Sequence, residues 1–212
     1  MSAGGQVVPV LQAERLYFAY PDHPLFTGWS AAMHPGVTLL RGGDGRGKTT
    51  LMRLLAGELP LDGGQLQINN IALHEQRDAY CGKLFWTDPR TDAFDLLTPV
   101  AYLQMQRLRY PAFDEQVLGR LLDGLALDAQ MHKQLFMLST GSKRKVFLAA
   151  AFASGAAVTL LDMPFAALDK ASIAFVMELL EEASSHPERV WVMADHVVPA
   201  QLRLAGLIDL GD

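Results

Sequence analysis

The chain has 212 residues, a formal charge of −5 from 23 acidic and 18 basic side chains, and an apolar fraction of one half. This composition is typical of a folded, mildly acidic protein of one large or two small domains. Nucleic-acid-binding proteins usually carry a dense Lys and Arg surface, so we expect no nucleic-acid partner. A single cysteine, Cys81, excludes an internal disulfide and a thiolate metal cluster. We therefore expect a cytoplasmic protein.

Two apolar stretches bear on membrane association. The longest uncharged run, residues 146–161, is interrupted by Ser154 and Gly155, whereas a membrane-spanning helix needs about 20 apolar residues. Residues 1–13 carry no charged side chain, and they lack the basic start and long apolar stretch of a secretion signal. If the protein acts at a membrane, we expect another subunit to hold it there.

The first elements along the chain predict an antiparallel β portion. Residues 10–20 mix β-forming and polar side chains and are followed by the turn-forming residues 21–24, so we expect a strand, a turn and a returning strand from Leu25. Farther along, Asp62-Gly63-Gly64 predicts another turn, and residues 65–71 alternate as one more strand.

Between these segments lie a short apolar strand at residues 37–40, a glycine loop and a helical pattern at residues 49–56. The loop sequence GGDGRGKT matches the phosphate-loop (Walker A) pattern G-x-x-x-x-G-K-[ST]. Its glycines allow backbone N–H groups to surround a phosphate, and the helix N terminus adds positive potential. Lys48 is expected on the β- and γ-phosphates and the Thr49 hydroxyl on Mg²⁺. The predicted nucleotide-binding residues here are Gly42, Gly43, Asp44, Gly45, Arg46, Gly47, Lys48, Thr49 and Thr50.

The second half of the chain predicts a helical insertion followed by a buried strand. Thr98 can cap a helix that begins with Pro99, and no strand-like run occurs before Val158. We expect a helical subdomain at about residues 90–140, inserted in one α/β domain that spans residues 1–212. The strand at residues 158–161 ends in Asp162, whose carboxylate could hold Mg²⁺ through water or could simply cap a helix or a turn.

Five segments follow one another in a characteristic order: GGDGRGKTT at 42–50, LSTGS at 138–142, VTLLDM at 158–163, AALD at 166–169, and His196. In this order and spacing they resemble the ATP-binding subunit of ABC transporters, and among these the short ATPases of bacterial exporters such as the haem-exporter type. The resemblance implies a P-loop NTPase core with a mainly parallel sheet, an N-terminal antiparallel β portion and an inserted helical subdomain.

The resemblance also implies roles for individual residues, with ATP and Mg²⁺ as ligands. Tyr20 would stack on adenine, although it could instead be a strand aromatic that covers the sheet. Ser139 and Gly141 fall in the family's signature, which would act on nucleotide held by a second copy. Asp169 would lie in the loop between the two sites, and His196 would contact the γ-phosphate. Thr49, Asp88 and Asp162 are the predicted Mg²⁺ ligands, and Asp162 and His196 the predicted catalytic residues.

Three departures from the family pattern affect the expected chemistry. Met163 stands where the family places a glutamate that polarises the attacking water, and a thioether cannot accept a proton. Losing a positioned base typically lowers the rate by about 10² to 10⁴. Only Thr87 or Asp88 is available where the family has a glutamine, and Thr140 and Ser142 replace a glycine and a glutamine of the signature. We therefore expect nucleotide binding, with ATP hydrolysis that is possible but slow.

The implied partners are a second ABC-type ATP-binding subunit, identical or related, and an integral membrane permease. This places the protein at the inner face of the cell membrane. A nucleotide-switched regulator without a permease and a small-molecule kinase are the alternative functions. The basic residues Lys143, Arg144 and Lys145 could bind lipid or nucleic acid, but we expect them to form a solvated helix face.

Overall fold

The structure is a computed structural model that describes residues 8–197 and 201–211. These residues form two sheets. The strands are β1 (Leu11–Tyr20), β2 (His23–Met33), β3 (Gly36–Arg41), β4 (Gly63–Ile68), β5 (Ile71–Ala72), β6 (Leu84–Phe85), β7 (Val158–Asp162), β8 (Val190–Asp195) and β9 (Gly206–Asp209). The helices are α1 (Lys48–Leu55), α2 (Arg77–Gly82), α3 (Pro99–Arg109), α4 (Glu115–Gly124), α5 (Thr140–Ala153) and α6 (Lys170–Ser184), with 3-10 helices at Asp128–Gln130 and Leu135–Met137.

The two sheets have different topologies. The first is antiparallel, with strand order β2-β1-β4-β5, and the second is parallel, with order β6-β7-β8-β3-β9. In the parallel sheet Asp162 pairs with Ala194, and Leu40 pairs with the same residue from the other side. The carboxyl ends of β3, β7 and β8 therefore meet at one edge, which is where α/β sheets bind their ligands. The fold class expected from the sequence is confirmed.

Alternating side chains of the parallel strands enter two separate apolar clusters. Leu39, Leu161 and Met193 face one way and pack with the apolar faces of α3, α4, α5 and α6. Their neighbours Leu40 and Leu160 face the opposite way and pack with α1 and the antiparallel sheet. Because both faces of the sheet are covered, its strands are apolar at nearly every position, as buried parallel strands require.

One predicted strand was too long. The alternating pattern at residues 65–71 predicts a single strand, but the structure has β4 ending at Ile68 and β5 beginning at Ile71. Asn69 and Asn70 both have positive φ, 49° and 63°, and form the tight turn between the two antiparallel strands. Asparagine tolerates this left-handed conformation, which is why Asn-Asn can form a hairpin turn inside an otherwise regular pattern.

Helices and turns alone occupy the segment between β6 and β7, all of which the structure describes. The Thr98 hydroxyl accepts a hydrogen bond from the Ala101 N–H at the start of α3, as predicted, and the Asp114 carboxylate caps α4 in the same way. The domain assignment over residues 1–212 and the subdomain limits at about 90–140 stay predictions. The short elements α2 and β6 were not predicted from the sequence.

None of the helices within the described ranges is long and apolar enough to span a membrane.

A pair of glycine variants tests how the segment before α4 packs against the end of α5. Gly155 has a φ of 67°, and a Cβ there would lie 2.2 Å from the carbonyl oxygen of Ala112. We expect Gly155→Ala to lower the free energy of unfolding by about 2 kcal/mol or more, because both the φ angle and the contact oppose a side chain.

Gly119→Ala is the matched control, measured by the same urea denaturation. Gly119 lies inside α4 with no atom within 4 Å of a built Cβ. The added methyl group should therefore stabilise the protein by about 0.5–1 kcal/mol through helix propensity. Equal effects of the two substitutions would contradict the packing described here.

Candidate functional site

The loop between β3 and α1 is shaped by two glycines with positive φ. Gly45 has a φ of 75° and Gly47 a φ of 88°. A Cβ on Gly47 would also lie 2.9 Å from a methyl carbon of Leu25, so this position excludes a side chain for two independent reasons. The Gly47 carbonyl then accepts the N–H of Leu51 at 2.7 Å and starts the helix. The glycines thus allow the backbone to curve around the N terminus of α1, as anion-binding loops do.

Lys48 turns its side chain back into this loop. Its Nζ donates to the carbonyl oxygens of Gly42 at 2.6 Å and Gly43 at 2.8 Å. The residue is only 8% exposed, and no carboxylate among the described residues lies within salt-bridge distance of it. A buried cation that is neutralised only by carbonyl dipoles is well prepared to receive an anion.

Thr49 and Asp162 connect the loop to the neighbouring strand. The Thr49 hydroxyl donates to the Asp162 carboxylate at 2.7 Å, and Asp162, at the end of β7, is 7% exposed. Among the described residues no three His, Cys, Asp or Glu side chains converge on one point. Mg²⁺ is commonly bound by one or two protein oxygens together with phosphate and water oxygens, so a hydroxyl and a carboxylate in contact form a suitable pair of ligands.

His196 lies beside the same loop, just after β8. Its Nδ1 is 3.2 Å from the Gly42 carbonyl oxygen and 3.4 Å from Lys48 Nζ, and its Nε2 is 3.5 Å from the Asp44 carboxylate. The Gly42 carbonyl only accepts and the Lys48 ammonium only donates, so Nδ1 can form one of these two hydrogen bonds in either tautomer. The structure therefore brings together the loop, Asp162 and His196, as predicted from their order in the sequence.

These groups line one open cavity of about 420 Å³. The residues of the predicted site that line this cavity are Tyr20, Asp44, Gly45, Gly47, Lys48, Thr49, Thr50, Asp162, Met163 and His196. The cavity is also lined by residues to which the sequence analysis gave no role in the site, namely His23, Leu25, Pro89, Arg90 and Arg144. Its walls are therefore more cationic than the motifs alone indicate.

A family model for ABC transporters matches residues 28–166, more than half of the chain. The chain belongs to the ABC transporter family. It is an ATP-binding subunit of that family. The resemblance of the five sequence segments is thereby confirmed.

Relatives cover most of the chain at about 30% identity. The chain is similar to the cytochrome c biogenesis ATP-binding export protein CcmA of Hahella chejuensis, 30% identical over 189 residues, 89% of this chain and 90% of the relative. With the CcmA of Pseudomonas savastanoi pv. phaseolicola it shares 32% identity over 209 residues, 96% of both chains. It is also similar to the manganese transport system ATP-binding protein MntB of Listeria innocua, 30% identical over 167 residues, 74% of this chain and 68% of the relative.

Solved structures support the fold. A solved ATP-binding subunit of an ABC transporter superposes with a TM-score of 0.79 at 21% identity, covering 89% of this chain and 80% of the other. A putative ABC transporter ATP-binding protein from Pyrococcus furiosus gives a TM-score of 0.76 at 20% identity, covering 94% and 96%.

Tyr20, the predicted adenine-stacking residue, lies at one side of the cavity. Its hydroxyl lies 3.2 Å from the Thr50 hydroxyl, and its ring meets the edge of Phe18 with centroids 5.0 Å apart. The residue is 41% exposed, so a ring face remains open to a ligand. Stacking on adenine stays a prediction.

The ABC signature does not line the cavity of its own chain. Ser139 caps α5 by accepting the Ser142 N–H at 3.1 Å, and neither Ser139 nor Gly141 is among the cavity residues. A Cβ on Gly141 would lie 2.3 Å from the Ala167 carbonyl oxygen, so this glycine permits close contact with the loop before α6. The position agrees with the predicted action on a second subunit, which stays a prediction.

Asp169 joins this loop to the signature helix. Its carboxylate accepts Lys145 Nζ at 2.7 Å and the Ser172 N–H at 2.9 Å at the start of α6. The hydrogen bond from Lys145, helped by Ser172, holds the pKa of the Asp169 carboxyl well below its usual range. Asp169 is therefore an ionised helix cap, and its predicted role in communication between sites stays a prediction.

The expectation of a solvated basic face at residues 143–145 was wrong. Lys143 Nζ donates to the Thr91 carbonyl at 2.6 Å and pairs with Asp95, and Lys145 is bound to Asp169. Arg144 is 8% exposed, and its Nη1 donates to the carbonyl oxygens of Asp162, at 3.0 Å, and Met163. Burial lowers the pKa of the Arg144 guanidinium, and the nearby Asp162 opposes that shift.

A signal for the position of Arg144 was present in the sequence. Arg144 is spaced three, four and seven residues before Phe147, Leu148 and Ala151, which line the same small apolar void as its side chain. Residues at this spacing share one helix face, so Arg144 belongs to the buried face of α5.

The residues at positions that depart from the ABC pattern form hydrogen bonds with other parts of the chain. Met163 has a φ of 50°, and its N–H donates to the Ala194 carbonyl at 2.9 Å. The Thr87 hydroxyl is 2.9 Å from the Tyr102 hydroxyl, and the Asp88 carboxylate accepts the Arg90 N–H at 2.9 Å and Nε at 3.3 Å. Asp88 is thus turned towards Arg90, and its role as a Mg²⁺ ligand stays a prediction.

A side chain at position 141 should act first within its own subunit. We expect Gly141→Ala to lower the free energy of unfolding by about 1–3 kcal/mol, because the new methyl group displaces the Ala167 carbonyl and the loop that carries Asp169. ATP-dependent dimerisation, measured by light scattering, should weaken with it, whereas ATP binding by the monomer should stay within about 2-fold.

Gly82→Ala is the control, since a Cβ there meets no atom within 4 Å. If Gly141→Ala were as stable as this control and dimerised normally, the close contact with Ala167 would be disproved. Ser139→Ala removes the hydroxyl that caps α5 and adds no new atoms, so it should lower the free energy of unfolding by only about 1 kcal/mol. It is therefore the cleaner probe of contact between the signature and a second subunit.

Proposed function

We propose that this ATP-binding subunit forms an ATP-bound dimer that closes readily, hydrolyses ATP slowly, and transmits closure to a separate membrane permease. The observation that carries the proposal is the position of Met163. It follows Asp162 in a cavity that otherwise has the phosphate loop, the Thr49–Asp162 pair and His196 in place.

The proposed ligands are ATP and Mg²⁺. The loop N–H groups and Lys48 would bind the β- and γ-phosphates, and Thr49 and Asp162 would hold Mg²⁺, directly or through water. Bound Mg²⁺ would supply positive charge to the phosphates during cleavage. The chain's own contribution is to orient these oxygens, and the 2.7 Å contact between Thr49 and Asp162 supports that role.

Slow hydrolysis follows from the partners of the nearby carboxylates. Asp162 accepts the Thr49 hydroxyl, Asp88 is turned to Arg90, and Asp44 lies 3.5 Å from His196 Nε2. Each of these carboxylates already has a partner, and Met163 supplies no carboxylate to accept a proton from water. His196 touches the loop through Nδ1, and its Nε2 lies 3.5 Å from the Asp44 carboxylate, so both ring nitrogens have partners within the chain.

Coupling to a permease is supported by the surface and by the relatives. The helical segment between β6 and β7 exposes large apolar side chains, namely Leu96, Val100, Leu108, Phe136 and Met137. Exposed apolar surface of this kind is typical of a binding face for another protein. The relatives carry names of export and manganese transport ATP-binding proteins. We therefore infer a partner ABC subunit, a permease and a location at the cytoplasmic face of a membrane.

A regulator without a permease is the second candidate, since a long-lived ATP-bound state would suit a switch. Affinity purification from native membranes separates the two. Recovery of a protein with several membrane-spanning helices supports the transporter, and recovery of the soluble chain alone supports the regulator.

Lys48→Ala tests the nucleotide site directly. We expect ATP affinity, measured by calorimetry with Mg²⁺, to fall by about 100-fold or more, because the variant loses charge-assisted bonds to two phosphates. Lys83→Ala is the control, because Lys83 precedes β6 at the opposite end of the strands and does not line the cavity. Near-normal ATP affinity of the Lys48 variant would overturn the assignment of the loop.

Met163→Glu tests the missing base. We expect steady-state ATP turnover to rise about 10-fold or more, since a positioned base contributes about 10² to 10⁴ when the geometry is right. Met163→Gln is the matched control, because it has the same shape as glutamate without a proton-accepting carboxylate. Brisk turnover of the native protein that depends on Lys48 and is not improved by Met163→Glu would contradict slow hydrolysis.

A further inference from the structure

Arg144 is a buried cation whose hydrogen-bonding capacity is only partly used. Its Nη1 donates to the carbonyl oxygens of Asp162 and Met163. Its Nε is fully buried and has no hydrogen-bond partner among the described residues. No carboxylate in the described part of the chain lies within salt-bridge distance of the guanidinium. A guanidinium has five N–H donors, and burying it without an anion is costly, so a site of this kind favours an anionic ligand.

Arg144 also lines the nucleotide cavity. Arg144 is a wall residue together with Arg90, Lys48 and Asp162. Arg144 approaches from α5, whereas Lys48 comes from α1, so the cavity receives positive charge from two separate elements. Arg90 adds a third cation, although its Nε is already bonded to Asp88.

Two departures from the ABC pattern lie next to Arg144. Met163, in the place of the usual glutamate, is a direct backbone partner of the guanidinium. Asp88 lies near the place of the usual glutamine. Its negative charge raises the pKa of the Arg144 guanidinium slightly, but its hydrogen bonds are made with Arg90. A glutamate at 163 would put a negative charge beside Arg144. With methionine there, that charge is absent, and Asp162 and Asp88 are the carboxylates that act on Arg144 from a longer distance.

We propose that Arg144 is an additional phosphate-binding residue, which acts on the terminal phosphate and makes the cavity prefer nucleoside triphosphate over diphosphate. The proposal rests on the nucleotide site described under the proposed function. Arg144 contacts the backbone of Asp162, the predicted Mg²⁺ ligand, and of Met163, where the family positions the attacking water. This is the end of the cavity at which a terminal phosphate would lie. Guanidinium groups bind phosphate oxygens strongly, because their N–H donors match the phosphate geometry.

Arg144 also bears on the chemistry that the site has with methionine in place of the glutamate. A guanidinium stabilises negative charge but does not accept a proton at neutral pH. It would therefore add binding of the terminal phosphate without supplying the missing base.

The test compares two nucleotides by calorimetry in the presence of Mg²⁺, a non-hydrolysable ATP analogue and ADP. In Arg144→Gln, which removes the charge, we expect the affinity for the ATP analogue to fall by about 10-fold or more. ADP affinity should change by less than about 2-fold. Lys143→Gln is the matched control. Lys143 is the neighbour of Arg144 in sequence, but its ammonium is bonded to Thr91 and Asp95, and the residue does not line the cavity. It should keep both affinities.

Arg144→Lys keeps the positive charge but loses the paired N–H donors of the guanidinium. We expect its affinity for the ATP analogue to fall by about 3-fold or more while its ADP affinity changes by less than about 2-fold, and this variant carries the test if Arg144→Gln does not fold. An equal loss of both nucleotides in Arg144→Gln would assign a purely structural role and overturn the proposal. Unchanged affinities for both nucleotides in both variants would also overturn it. If the native protein binds neither nucleotide, the proposed function itself fails.

Discussion

The parallel pairing of β7, β8 and β3 is the constraint on which the site depends. It ends three strands at one edge, so the phosphate loop after β3, Asp162 at the end of β7 and His196 after β8 become neighbours although they are far apart in sequence. The apolar side chains on both faces of these strands stabilise that pairing, because each face is covered by a separate cluster. The charged residues of β3, β7 and β8, namely Arg41, Asp162 and Asp195, occur where these strands end, at the edge where such sheets bind ligands.

Charge burial is the second feature that determines the chemistry. Lys48, Asp162 and Arg144 are each less than 9% exposed, yet none of them forms a direct salt bridge with another residue of the three. Backbone carbonyls neutralise the two cations in part, and a hydroxyl donates to the carboxylate. Such a site is incompletely compensated, and the missing counter-charge is the kind that a magnesium nucleotide supplies.

Much of this could be predicted from the sequence, because the motifs report local backbone requirements. The glycines of the loop, the Thr98 cap and the apolar strand ending in Asp162 each follow from short-range physics, and the structure has them where they were expected. Arg144 was misassigned because charge composition was given more weight than helical spacing. The Asn69-Asn70 turn was missed because an alternating pattern continues through it, and only the positive φ angles reveal the break. Leu25 restricts Gly47 through a contact between distant segments, which no local pattern encodes.

Helix α5 connects the parts of the molecule that a nucleotide switch has to coordinate. Its first turn carries Ser139 and Gly141, and the next residues bind three different segments: Lys143 binds the Thr91–Asp95 turn, Arg144 binds the backbone of Asp162 and Met163, and Lys145 binds Asp169. Because these side chains form ion pairs and hydrogen bonds with three segments, α5 should move together with those segments rather than independently of them. Displacement of the signature by a second subunit would therefore move the backbone beside Asp162, and a phosphate drawn to Arg144 would act on the signature in return. That reciprocity is required of any two coupled binding sites, and helix α5 would be the physical connection if the signature and Arg144 bind as proposed.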